Sequence, residues 1–178
     1  MEHESLLRDI RRYQEQLKRW EAEKNSPHWG EPHGDGFCVA YETRYYSAIL
    51  TNLPQNHNWV RACYETPMHI HGVKLDSPER CELVGSDVVG HWRVSFNEPQ
   101  CRTFWSGFWD KGCSQEGSHK RRIETRLENL RREFDWWETC NTTPVQIHGV
   151  HYASPAFCYP INGWKGMLAL WEIDDQSC

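Results

Sequence analysis

Apolar residues recur along the chain in two rhythms. Leu6, Ile10, Tyr13, Leu17 and Trp20 advance by +4, +3, +4, +3 with charged residues between them, the spacing of one helix face. The same advance carries Ile123, Leu127, Leu130, Phe134 and Trp137. It returns in weaker form at Tyr46, Leu50, Leu53, His57 and Val60, where Pro54 should interrupt a helix. Elsewhere the period is two. Met68 and Ile70, then Val73 and Leu75, flank His71-Gly72; Val145 and Ile147, then Val150 and Tyr152, flank His148-Gly149. Each set predicts a hairpin closed by a two-residue turn, with glycine supplying the positive φ. Trp92, Val94 and Phe96 predict a following strand, as do Met167, Ala169, Trp171 and Ile173. Helix, hairpin and strand occur twice in that order, so the pattern predicts an α+β fold of two tandem units behind an N-terminal amphipathic helix.

The residues themselves repeat. Cys63 to Cys81 recurs as Cys140 to Cys158 at an offset of 77, with 10 of 19 positions identical, including Thr-Pro, Ile-His-Gly-Val and Ser-Pro. Trp59 and Trp136 differ by the same 77, as do Cys101 and Cys178. The expected division is a helix and loop over 1–37, a first unit over 38–101, an aromatic connector over 102–112 and a second unit over 113–178. Gly107, Gly112 and Gly117 punctuate the connecting stretch.

The composition is that of a globular chain, and a net charge of −5 disfavours a duplex nucleic acid as partner. No run approaches the roughly 18 apolar residues of a membrane span. Met1-Glu2-His3-Glu4-Ser5 contains no apolar stretch, so a cytoplasmic protein is expected, or an extracellular one if a leader has been removed.

Eight cysteines sort four to a copy: Cys38, Cys63, Cys81 and Cys101, then Cys113, Cys140, Cys158 and Cys178. The spacings are C-x24-C-x17-C-x19-C and C-x26-C-x17-C-x19-C. Thiols at matched places should meet in space. Four thiolates suit a structural zinc ion, which gives two ions in all, while an oxidising compartment gives two disulfides per copy. No C-x2-C knuckle favours zinc, and both readings stay open at this level, with buried free thiols as a third.

For chemistry, the candidates are His69, His71, His148, His151 and Asp174. An imidazole can act as general acid, base or metal ligand, and Asp174 with Asp175 can supply a carboxylate pair. The plain alternative makes His71 and His148 turn residues and the aspartates solvated. Lys120-Arg121-Arg122, Arg126, Arg131 and Arg132, interleaved with Glu124, Glu128 and Glu133, suggest a solvated helix face. Ten tryptophans include Trp105, Trp109 and Trp164, the first choices for a ligand-stacking surface. The stripe over 6–20 is read either as a helix packed on the core or as a seam for self-association.

The pattern C-x2-T-P-x2-I-H-G-V-x3-S-P-x2-C, followed by an aromatic strand ending Asp175-Gln176-Ser177-Cys178, resembles Cys- and Trp-rich repeat proteins of mushroom-forming fungi over 38–178. That resemblance implies no activity. The function expected from the residues is a small binding or interaction module stabilised by zinc or disulfides, its ligand surface in an aromatic cleft between the copies. The alternatives are an enzyme with a His/Asp site, metal-dependent or not, in that cleft and a Trp-based carbohydrate-binding protein. The partner would be a small molecule, a glycan or a protein.

Overall fold

The computed structural model describes residues 2–178, with side chains from Glu4 onward. Helix α1 spans Glu2–Asn25. The first copy then runs β1 (His28–Trp29), β2 (His33–Gly34), β3 (Arg44–Thr51), α2 (Trp59–Glu65), β4 (Met68–Ile70), β5 (Val73–Leu75), β6 (Arg80–Val84) and β7 (Asp87–Val94). The second runs β8 (Phe104–Cys113), β9 (Lys120–Glu128), α3 (Trp136–Thr142), β10 (Val145–Ile147), β11 (Val150–Tyr152), β12 (Phe157–Pro160) and β13 (Met167–Asp174). The sheets have the orders β1-β3-β7-β6, with β2 also on β3, and β12-β13-β9-β8. Each copy adds its own two-stranded hairpin, β4-β5 or β10-β11. By compactness the chain divides into one unit of residues up to His33 with Ser47–Trp92, and another of Gly34–Tyr46 with Arg93–Cys178. The division runs through β3 and β7.

The α+β class, the N-terminal helix and the tandem four-cysteine units stand as expected. The copies agree down to single hydrogen bonds. The Trp29 indole N–H donates to the Thr66 carbonyl at 2.8 Å, and Trp105 donates to the carbonyl of Thr143 at 3.0 Å. The side chains of Asn58 and Asp135 cap α2 and α3 by accepting from the N–H groups of Arg61 and Glu138. Thr66 and Thr143 hydroxyls each donate back to a helix carbonyl at 2.6 Å. Arg44 pairs with Glu98, and Arg121 with Asp175.

The helices differ from the sequence expectation. Residues 120–128 form a strand, and the helix starts only at Trp136. Ile123 and Leu127, four apart, fit a strand face as well as a helix face. The buried Thr125 between them settles the period at two. Leu130 and Phe134 lie in the turn that follows. In copy 1, Ala48 and Leu50 are the buried pair, and β3 ends before Pro54. The basic residues of 120–126 are therefore cross-strand partners and not a helix face: Lys120 pairs with Asp174 and Arg122 with Glu172.

Two segments read as loop and connector also carry strands. Trp29 lies in β1, and Phe104 to Cys113 form β8, the counterpart edge of the second sheet. Gly107 does not end that strand. Its φ of +63° sits where the β8–β9 register shifts, between Ser106 and Trp109, so it makes a bulge. The hairpins form where the His-Gly pairs predict: His71 and Gly72 have φ of 52° and 76°, His148 and Gly149 of 51° and 78°, the left-handed pair of a type I′ turn. Val73 and Val150 nevertheless remain exposed.

The first unit buries Trp29, Leu50, Met68, Ile70, Val88 and Trp92. In the second, Leu127, Ile147, Met167, Ala169, Trp171 and Ile173 form one cluster. The cysteines settle as Cys38–Cys101 and Cys63–Cys81, then Cys113–Cys178 and Cys140–Cys158. First joins fourth and second joins third in both copies. This overturns the zinc expectation: all eight sulfurs are spent in disulfides. Among the described residues no group of three or more His, Cys, Asp or Glu side chains is placed to hold a metal ion.

Candidate functional site

Trp105 is only 8% exposed, held edge-on to Trp171 with ring centroids 5.6 Å apart. It belongs to the core, so it is corrected from a ligand-stacking residue to a structural one. Its counterpart Trp29 stands the same way against Trp92 at 4.7 Å. Trp109 of β8 remains about half exposed, as do Phe104 and Phe108 of the same strand.

Trp164 is 62% exposed and leads to an open groove of about 880 Å³ within the second unit. One wall is the start of α3, where Trp136 donates its indole N–H to the Arg131 carbonyl at 2.9 Å and Trp137 turns outward. The other wall is the loop from Ile161 to Gly166 that joins β12 to β13. Two backbone bonds close this loop, Ile161 N–H to the Gly166 carbonyl at 2.8 Å and Trp164 N–H to the Ile161 carbonyl at 3.0 Å. Trp164 takes a φ of 56°, an unusual conformation for a bulky residue. Gly166 has φ of 144°, and a Cβ there would also press on Ile161 at 3.3 Å. The loop so held sets Trp164 5.7 Å from Trp136, their planes tilted by 57°. Leu130 and Phe134 complete the apolar lining, and Arg132 and Lys165 supply the charge.

The loop wall of this groove is specific to copy 2. In copy 1, Cys81 and Gly90 pair across β6 and β7, nine residues apart in sequence; their counterparts Cys158 and Ala169 are eleven apart. The two extra residues fall in the loop that carries Trp164. Copy 1 turns instead through Gly85-Ser86, and has Val60 in place of Trp137 and Gln55 in place of Arg132.

The other candidates are dispersed. His69 and His71 lie exposed on the β4-β5 hairpin, and His148 and His151 on β10-β11. His148 borders a small recess of about 230 Å³ with Phe108, Ile123 and Gln146. Asp174 pairs with Lys120 at 2.6 Å. Asp175 accepts from the Ser177 hydroxyl and N–H and from Arg121, which holds its carboxyl far below the usual carboxylate range. Both aspartates tie strand ends together. Sequence reasoning missed Trp136 and Trp137 as groove residues, although the offset between the two copies at residues 161–166 would have pointed to the loop.

No protein-family model, no curated protein and no solved structure matches the chain. No helix among the described residues is long and apolar enough to cross a membrane.

Proposed function

We propose that the protein is a disulfide-stabilised carbohydrate-binding module of an oxidising compartment, and that Trp164, Trp137 and Trp136 form its sugar-binding surface. The carrying observation is a groove whose loop wall occurs in one copy of a duplicated frame, lined by aromatic side chains of which Trp164 and Trp137 stay exposed. Trp164 and Trp137 are 62% and 46% exposed. An indole face carries partial negative charge, so it attracts the slightly positive C–H face of a pyranose ring while excluding water from it. An open trough suits a chain of sugars better than a small metabolite, which pockets normally enclose. Four disulfides support the compartment, since reducing cytosol keeps thiols free.

The N-terminal helix supplies the second part of the reading. Every described residue of α1 is exposed, so the stripe Leu6, Ile10, Tyr13, Leu17 and Trp20 packs on no core. These residues occupy alternate a and d heptad positions, with Ile10 and Leu17 at a. In a parallel pair of such helices Asp9 faces Gln14 of the second copy and Gln16 faces Glu21, so no like charges meet along the seam. An isolated helix of this length is marginal in water. Self-association of α1 through this seam would present two grooves together, and avidity would add to a weak single-site affinity.

A glycan array probed with the full chain and with Trp164→Ala tests the sugar reading. Binding by the wild type and its loss in the variant are expected. A wild-type chain that binds no glycan, or a variant that binds as the parent does, refutes it.

A further inference from the structure

Resting on that reading, we infer that the groove selects acidic glycans, with Arg132 and Lys165 holding a uronic acid carboxylate while Trp164 and Trp137 cover the ring faces. The groove is lined by two cations and no carboxylate, in a protein whose net charge is −5. Other cations of the second sheet are neutralised: Lys111 by Glu124, Lys120 by Asp174, Arg121 by Asp110 and Asp175, Arg122 by Glu172 and Arg126 by Glu128. Among the described residues Arg132 and Lys165 make no such pair. Both charges are also peculiar to copy 2. Gln55 occupies the place of Arg132, and Lys165 sits in the extended loop.

The loop holds Lys165 by its backbone. The Arg126 guanidinium donates to the Lys165 carbonyl at 3.4 Å, and the side chain is left exposed to solvent. A guanidinium fork matches a planar carboxylate with two parallel hydrogen bonds, and an ammonium adds a point charge. Aromatic faces beside cations also occur in single-strand nucleic-acid grooves, but those track a charge at every nucleotide with a continuous basic lining. Two isolated cations beside three indoles fit a short acidic oligosaccharide, whose pyranose rings offer C–H faces to the indoles.

The test is calorimetric titration of the full chain with trigalacturonic acid, its neutral counterpart α-1,4-galactotriose, a sulfated galactan trimer and an eight-residue oligothymidylate. The protein is the wild type, Trp164→Ala or Arg132→Gln/Lys165→Gln, with near-ultraviolet circular dichroism as the check on folding. The expected result is that the uronate trimer binds about tenfold more tightly than the neutral one. The double variant should lose that margin, and Trp164→Ala should lose both ligands. Equal affinity for the two trimers overturns the acidic selectivity and leaves the sugar reading intact. Binding of neither overturns the sugar reading itself. Tighter binding of the sulfated trimer or of oligothymidylate overturns the choice of a carboxylate glycan.

Discussion

Gly90→Ala should be among the most damaging single-methyl additions in this molecule. Gly90 lies in β7 where the T-shaped pair Trp29 and Trp92 crosses the strand. A Cβ there would stand 2.6 Å from Trp29 Cη2 and 2.7 Å from Trp92 Cη2. Carbon atoms pack at about 3.5–4.0 Å, so a ring would have to retreat by roughly 1 Å. Trp29 cannot do so freely, because its indole N–H is committed to the Thr66 carbonyl at 2.8 Å. Overpacking of this kind costs about 1–3 kcal/mol, and a weakened buried hydrogen bond about 1 kcal/mol more. Stability should therefore fall by about 2–4 kcal/mol, enough to move a urea midpoint down by about 1–2 M at a slope of about 2 kcal/mol/M. Copy 2 shows the alternative solution. Ala169 holds the equivalent place, and Trp105 and Trp171 stand 5.6 Å apart where Trp29 and Trp92 stand at 4.7 Å. The assay is urea unfolding followed by tryptophan fluorescence, in the wild-type and Trp29→Phe backgrounds. Phe does not reach the Cη2 position, so the share of the penalty due to Trp29 should vanish there while the contact with Trp92 remains. A Gly90→Ala cost below about 0.5 kcal/mol, or the same cost in both backgrounds, would refute the steric argument.

The disulfides give a second expectation. Intact mass should sit about eight units below the fully reduced chain and rise by that amount with reductant. Removing Cys63–Cys81, which closes 18 residues, should cost about 3 kcal/mol, while removing Cys38–Cys101, which closes 63, should cost about 4 kcal/mol, read by chemical denaturation. Alkaline titration gives a third. Burial, then the Glu98 carboxylate at 2.5 Å, pushes Tyr46 up to about 12, and burial, then Glu124, does the same to Tyr159. Both folded values lie above the ordinary tyrosine value near 10, so their contribution to stability is intact below pH 10 and is lost as pH rises through 12. Ultraviolet titration should find Tyr46 and Tyr159 ionising late, and Tyr159→Phe should remove one of these late steps. For the helix, Leu17→Asp should convert a self-associating species to monomer in sedimentation, with the groove's intrinsic affinity unchanged.

The elements set by local chemistry were legible in the residues. The two His-Gly turns, the alternation of Met167, Ala169, Trp171 and Ile173, and the matched cysteines each follow from a rule that acts within a few residues. The mistaken helix arose because +4 spacing satisfies both periods, and only the burial of Thr125 distinguishes them. A threonine reads as polar in a pattern of hydrophobicity, yet here it is wholly buried and donates to the Ser106 carbonyl at 2.8 Å. Disulfide against zinc was beyond reach for a different reason. Spacing shows which thiols can meet, and the pairing depends on where two strand ends and a helix bring each sulfur.

The duplication separates framework from function in a way that a single copy could not. A residue with the same partner in both copies is explained by the frame. Trp105 repeats the bond of Trp29, Asp175 repeats the ion pair of Glu98, and His148 repeats the turn of His71. That assigns three of the sequence candidates, Trp105, His71 and His148, to the frame by a physical criterion. Trp164, Lys165 and Arg132 have no equivalent, and the frame of copy 1 closes without them through Gly85-Ser86. Replacing 162–165 by a two-residue Gly-Ser turn, which removes the two extra residues, should therefore leave the second sheet folded and delete the groove. The two hairpins already share the pairing of Cys81 with Gly90 and of Cys158 with Ala169. A folded, disulfide-complete variant that retains glycan binding would show that the extra residues are not the site, and the search would return to the exposed Phe104, Phe108 and Trp109 of β8.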